Sequence, residues 1–161
     1  MIVVSDTSAI SNLFAVGKLE LLRDLFDSIV MPIGVMRELA KLEDFGYDIS
    51  KIGTASWIIV QHARDTATVF NLARHLDSGE SEAIVLAQEL NADYLLIDER
   101  RGWKIANSLG IKTMGVLGVL LKAKSEGLIP TISTILHDLE TTAGFWVSDA
   151  LRKEVFALAG E

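Results

Sequence analysis

Short runs of β-branched and aliphatic residues recur along this chain, each followed by a stretch whose apolar residues fall at helical spacing. That alternation limits the fold more than any other feature. Strands separated by helices pair in parallel, because a parallel neighbour is reached only through a crossover connection. The strand-like runs are residues 1–5, 28–31, 57–60, 94–97 and 111–114. Between them the spacing predicts helices over 8–26 with a break at Gly17, over a stretch through Val35, Met36, Leu39 and Ala40 with Pro32 in its first turn, and over 65–76, 79–90, 99–109 and 116–123. Residues 44–54 read as loop, and 131–160 as two further helices around a turn at 144–147. The expected class is α/β, a three-layer α/β/α sandwich with a central, mainly parallel sheet and extra C-terminal helices. No repeat or composition shift divides the chain, so 1–161 reads as a single domain, with a core over about 1–125 and an extension over about 130–161.

Half of the 161 residues are hydrophobic, enough to offset chain entropy and exclude a disordered linker. The absence of cysteine excludes disulfide scaffolds, thiolate zinc sites and cysteine nucleophiles, and suits a reducing cytoplasm. The opening MIVVSDTSAI lacks a basic start, and no window approaches the ~18 uninterrupted apolar residues of a membrane span, so a soluble cytoplasmic protein with no membrane partner is expected. A net charge of −7 argues against a polyanion as partner, yet residues 100–124 carry Arg100, Arg101, Lys104, Lys112, Lys122 and Lys124 and no acid. That clustering leaves room for a basic face on an acidic molecule.

In open parallel sheets the ligand lies beyond the carboxyl ends of the strands, where strand order reverses. Asp6 ends the first run and Asp98 the fourth, so both enter one crevice if those strands are neighbours. Glu38 sits between the buried-looking Val35 and Leu39, an expensive place for an idle charge, and Glu82 lies on the helix leading into the fourth run. Four acids from four elements can converge only around a divalent cation. Oxygen ligands without Cys or a local His cluster select Mg or Mn, which points to phosphate chemistry, with two ions ~3.5–4 Å apart able to activate water and steady a leaving oxygen. Each acid also has a plainer role. Asp6 and Asp98 precede helices and can cap them, Glu38 can be solvated beside Arg37 and Lys41, and Asp77 with Glu80 forms a capping box that Glu82 lies outside. His62, His75 and His137 are scattered, and Trp57, Trp103 and Trp146 read as packing residues. A dehalogenase-like phosphatase wants a second aspartate where Ser8 stands, and no GxGxxG supports a dinucleotide enzyme.

Taken in order, VVSDTSAISNL, MPIGVMREL, DSGESEAIVLAQEL, ADYLLIDERRGWKIANSLGI and TMGVLGVLLKAKSEGLI resemble the PIN-domain proteins, in particular the small prokaryotic branch long labelled a domain of unknown function and similar to the VapC toxins. The resemblance implies a Mg- or Mn-dependent endoribonuclease, the toxin of a toxin–antitoxin pair. Asp6, Glu38, Glu82 and Asp98 would be its metal-binding and catalytic acids, with Glu80 as an extra ligand because this branch carries GExEA. It also implies that Thr7, Ser8 and Asn12 are polar neighbours of the metal, that Arg100, Arg101 and Lys104 contact RNA, and that the partners are RNA, a cognate antitoxin and a second copy in a homodimer. Trp103 stands where the resemblance leads one to expect arginine, a phosphate contact for which Arg100, Arg101 and Lys104 could substitute. The alternative is a catalytically silent PIN-like module that binds RNA or protein. The nuclease reading requires the carboxylates to meet: Glu82 or Asp98 turned away from Asp6 would undo it.

Overall fold

The computed structural model describes residues 1–161. The chain runs β1 (Val3–Ser5), α1 (Thr7–Ala15), α2 (Glu20–Phe26), β2 (Ile29–Pro32) and α3 (Ile33–Ala40). The stretch expected as loop then makes a short 3-10 helix (Lys41–Phe45) and a one-turn helix α4 (Ser50–Gly53), which bury Ile49 and Ile52 against the core. From there it continues through β3 (Ile58–Gln61), α5 (Thr66–Leu72), α6 (Ser78–Glu89), β4 (Tyr94–Leu96), α7 (Arg100–Ser108), β5 (Thr113–Met114), α8 (Val116–Ser125), α9 (Ser133–Thr142) and α10 (Asp149–Ala159). Gly17 breaks the first helical stretch at a φ of 67°, a backbone region that favours glycine.

All pairings are parallel and the five strands lie in the order β3-β2-β1-β4-β5. The chain therefore winds outward from β1 to β3, then crosses back to lay β4 on the other side of β1. The reversal falls between β1 and β4, whose register pairs Val3 with Tyr94 and Ser5 with Leu96. Successive residues of these strands enter opposite cores. Val3, Leu96, Ile29 and Met31 face the larger one, beneath α1, α2, α3 and α8. Val4, Leu95 and Ile97 face the smaller, with Ala83, Ile84 and Leu86 of α6 and Ala106 of α7. Burial on both faces is why the strands read as unbroken apolar runs, and each fully buried aliphatic side chain contributes ~1.5–3 kcal/mol. Helices α9 and α10 join the larger core through Ile135, Leu136, Leu139 and Val155, so the C-terminal extension packs onto the same body. No helix is long and apolar enough to cross a membrane.

Candidate active site

Helix starts decide where the acids point. Asp6 leaves β1 in extended conformation and caps α1: its carboxylate accepts the Ala9 N–H at 3.2 Å and the Ser8 hydroxyl at 2.9 and 3.0 Å. Asp98 leaves β4 but does not cap α7, the helix that follows it. Its two oxygens accept the Val116 N–H at 3.1 and 3.2 Å, at the start of α8. Gly115 makes that reach possible, since a Cβ there would sit 2.5 Å from the Asp98 carboxylate. Asp6 thus caps its helix, a role typically worth ~0.5–2 kcal/mol, Asp98 instead holds the first N–H of α8 from a distant loop position, and both still face the crevice at the switch point.

Helices α3 and α6 cap each other. Glu38, on α3, accepts the Gly79 N–H at 2.9 Å and the Ser78 hydroxyl at 3.3 Å at the start of α6, and it also accepts the Thr7 hydroxyl. Glu82, on α6, accepts the Gly34 N–H at 2.8 Å at the start of α3. Gly34 and Gly79 let the two helices approach: a Cβ at Gly79 would lie 2.6 Å from a Glu38 oxygen, and one at Gly34 would overlap the Glu82 carboxylate.

This reciprocal arrangement corrects one sequence expectation. Glu82 does not join Asp6; it lies in an adjoining groove that shares only Glu38 with the cavity holding Asp6, beside Arg37, Lys41 and His62, its carboxylate committed to α3. Glu80 faces the acids instead. Two residues along a helix turn a side chain through about 200°, so Glu80 and Glu82 occupy opposite faces of α6. The expected capping box is present in its first half, with Asp77 accepting the Glu80 N–H at 2.8 Å.

Asp6, Glu38, Glu80 and Asp98 line one open cavity of about 460 Å³, together with Thr7, Ser8, Ser11, Asn12, Asp77 and Glu99. Asp77 thus lines the cavity besides capping α6, and Glu99 joins it, the sequence signal for Glu99 being its place beside a strand-ending aspartate. The remaining wall is residues 143–146, from the turn between α9 and α10. The hydroxyls of Thr7 and Ser8 are both engaged with carboxylates, which they orient. Arg100, Arg101 and Lys104 line a neighbouring cavity that meets the acidic one at Glu99. None of the three is in an ion pair, and Arg101 donates to the His75 carbonyl at 3.1 Å. The basic stretch does not act as one face: Lys122 and Lys124 are neutralised by Glu126 and Glu161. The histidines are exposed, and Trp57 packs against the larger core as expected. Trp146 does not pack; it is 81% exposed.

Crowded, desolvated carboxylates hold protons tightly. Burial pushes Asp6 up to about 8, with repulsion from Asp98 and Glu80 adding to it and the Ala9 and Ser8 hydrogen bonds opposing it. Burial, with repulsion from Asp77, Glu99 and Glu38, raises Glu80 to about 7, and burial raises Asp98 to about 6. Such a pocket lacks positive charge, and its oxygen-only donors suit a hard cation such as Mg or Mn. As they stand, no three of the chain's Asp, Glu and His side chains are gathered tightly enough to grip one ion. The donors therefore fit a cation by charge and chemistry, and would have to close further to hold it.

The family model for DUF3368, a PIN domain, matches residues 2–161. Among solved structures, a PilT N-terminus domain protein from the hyperthermophilic archaeon Sulfolobus solfataricus P2 has a similar fold. Its TM-score is 0.51, with 23% identity, covering 74% of this chain and 91% of that one. No curated protein matches the chain. The PIN domain is a nuclease-type fold.

Proposed function

Because the chain belongs to the PIN-domain family DUF3368, we propose that it is a metal-dependent endoribonuclease that hydrolyses RNA phosphodiester bonds. The observation that carries this reading is the shared cavity in which Asp6, Glu80 and Asp98 meet from three separate elements, with Asp98 and Glu80 both adding to the rise at Asp6. Glu82, turned away from Asp6, fails the condition set for the four acids expected from the sequence, so the proposal rests on a different set, Asp6, Glu80 and Asp98 with Glu38, and stands or falls with Glu80.

PIN domains generally use divalent metals, and Mg or Mn bound here would supply an acidified water and counter-charge for the leaving oxygen. Asp6, Glu80 and Asp98 would hold it, with Glu38 at the cavity edge. The chain's own residues fix the rest. Ser8 and the Ala9 N–H orient Asp6, the Val116 N–H orients Asp98, and Thr7 links Glu38 to the same wall. Asn12 lines the cavity and can donate to a phosphate oxygen. Arg100, Arg101 and Lys104, free of ion pairs, would grip the flanking RNA backbone.

The test is cleavage of a mixed single-stranded RNA with Mn by the wild type and by Asp98→Asn and Glu80→Gln. Cleavage that both substitutions abolish, in folded protein, supports the reading; cleavage that survives both sinks it. One observation favours a second reading, the silent RNA- or protein-binding module: no three acids are pre-gathered on an ion. Mn decides between them, since a cation that binds only the folded state raises its melting temperature, and a silent module would show no rise. The finer role, a cytoplasmic toxin acting as a homodimer and restrained by a cognate antitoxin, draws its support from the ordered motifs of the sequence. Growth arrest on expression, relieved by Asp6→Asn, is its test.

A further inference from the structure

We infer that the cavity between α7, the start of α8 and the turn at 143–147 is a nucleobase-stacking subsite, where Trp146 and Trp103 hold one base of a single-stranded RNA beside the acidic cavity. The inference rests on the nuclease reading for its choice of ligand. The cavity itself is independent of it: about 540 Å³, lined by Trp103, Leu117, Phe145, Trp146 and Leu151, with Arg100 and Asp98 its charged residues. That volume lies in the range of roughly 300–1,000 Å³ usual for small-ligand clefts. It shares Asp98, Phe145 and Trp146 with the acidic cavity, so a ligand seated in one adjoins the other.

Two tryptophans left in solvent are unlike packing residues. Trp146 is 81% and Trp103 46% exposed, while the neighbouring Val147 is 6% exposed and pins the turn to the core. The backbone that carries Trp146 is set. Gly144 takes a left-handed φ of 66°, the Phe145 N–H bonds to the Leu139 carbonyl at 3.1 Å, and the Ser148 hydroxyl caps α10 at 3.2 Å. Anchoring on both sides presents the indole with little backbone entropy left to lose on binding.

Charge decides the occupant. A base brings its own phosphates, which Arg100 at this cavity and Arg101 and Lys104 beyond Glu99 can meet. Arg100 is in no ion pair and calls for an anion, which RNA carries at every nucleotide; a second copy of the chain is the occupant that the elution-volume arm of the test detects. Base–aromatic stacking tolerates any sequence, because every base has a π-face, so the subsite would select single-stranded over paired RNA.

The experiment measures binding of a short fluorescein-labelled single-stranded RNA in EDTA, where no cleavage occurs, and reads cleavage separately with Mn. Trp146→Ala is expected to weaken binding roughly 5- to 150-fold, the range measured when a stacking aromatic is truncated, with Trp146→Phe restoring most of it. The same RNA annealed to its complement should bind more weakly than the single strand and be indifferent to Trp146→Ala. Equal affinity of wild type and Trp146→Ala for the single strand overturns the subsite. So does a Trp146→Ala variant that changes only the elution volume of the protein, which assigns the face to contact between chains. Asp6→Asn separates the two readings. If wild type and Asp6→Asn bind alike through Trp146 and neither cleaves with Mn, the nuclease reading fails and the subsite stands. Cleavage that depends on Asp6 with binding blind to Trp146 gives the reverse.

Discussion

Replacing Asp6 by asparagine should stabilise the metal-free protein, and the gain should depend on pH in one direction only. Asn is a good helix cap and can still accept the Ala9 N–H and Ser8 hydroxyl, so the local frame of α1 survives. What is lost is the carboxyl group whose value burial lifts from 3.8 to about 8. A carboxylate raised in the folded state binds its proton more tightly there than in the unfolded chain. Its stabilising contribution is therefore complete below about pH 4 and drains away as pH climbs to about 8. Each unit is ~1.4 kcal/mol, so nearly four units between the unfolded value and pH 7.5 set an upper limit of ~5 kcal/mol on what the substitution relieves. The variant still buries an amide, and the site relaxes, so we expect roughly 2–4 kcal/mol. At ~2–4 °C per kcal/mol for a domain of this size, that is a rise of about 10 °C. Melting followed by circular dichroism in EDTA from pH 4.5 to 8.5 checks it. The two curves should converge at the acid end and part steadily above it, with the variant higher. Parallel curves, or a variant less stable at pH 8, would refute the claim that a crowded, desolvated Asp6 opposes folding.

Three further outcomes follow from the same geometry. Glu82→Gln should leave Mn-dependent cleavage within a few-fold of wild type, while Glu80→Gln in the same assay should lose it; the reverse ranking would restore Glu82 to the site. Gly79→Ala places a methyl against the Glu38 carboxylate and should cost ~1–3 kcal/mol in urea unfolding, as overpacking does, so an unchanged midpoint would mean that Glu38 is free to move. Replacing Arg100, Arg101 and Lys104 by alanine one at a time should each flatten the dependence of log Kd on log salt by about one if each meets a phosphate, whereas an unaltered slope removes that residue from the RNA path.

The sheet was legible because its physics is local and repetitive. Buried parallel strands must be apolar on both faces, and Val3, Val4, Leu95 and Leu96 say so without help from the rest of the chain. Asp6 and Asp98 were legible for the same reason: each is the polar residue that ends such a run, and strand order then set them side by side. The assignment on α6 failed because its deciding partner is remote. Glu82 looked idle once the Asp77–Glu80 capping box was drawn, since its acceptor role is toward Gly34, 48 residues earlier in the chain. Glu80 looked satisfied by that box, and only the packed structure shows it also walling the cavity. Trp146 was illegible in a different way. Periodicity cannot tell an aromatic turned into the core from one left in solvent on a turn, as Trp146 is, two residues after the left-handed Gly144. The short helices between α3 and β3 were hidden by length, being about a turn each with no periodicity to read.

The crossed glutamates of α3 and α6 complicate any genetic dissection of this pocket. Glu38 is at once part of the cavity wall and the acceptor that completes a neighbouring helix, so deleting it would loosen the frame in which Glu80 sits. A dead Glu38 variant is therefore ambiguous between lost chemistry and a slackened scaffold. The informative substitutions are at Asp98 and Glu80, read alongside a Glu82 change that disturbs the same pair of helices from outside the cavity.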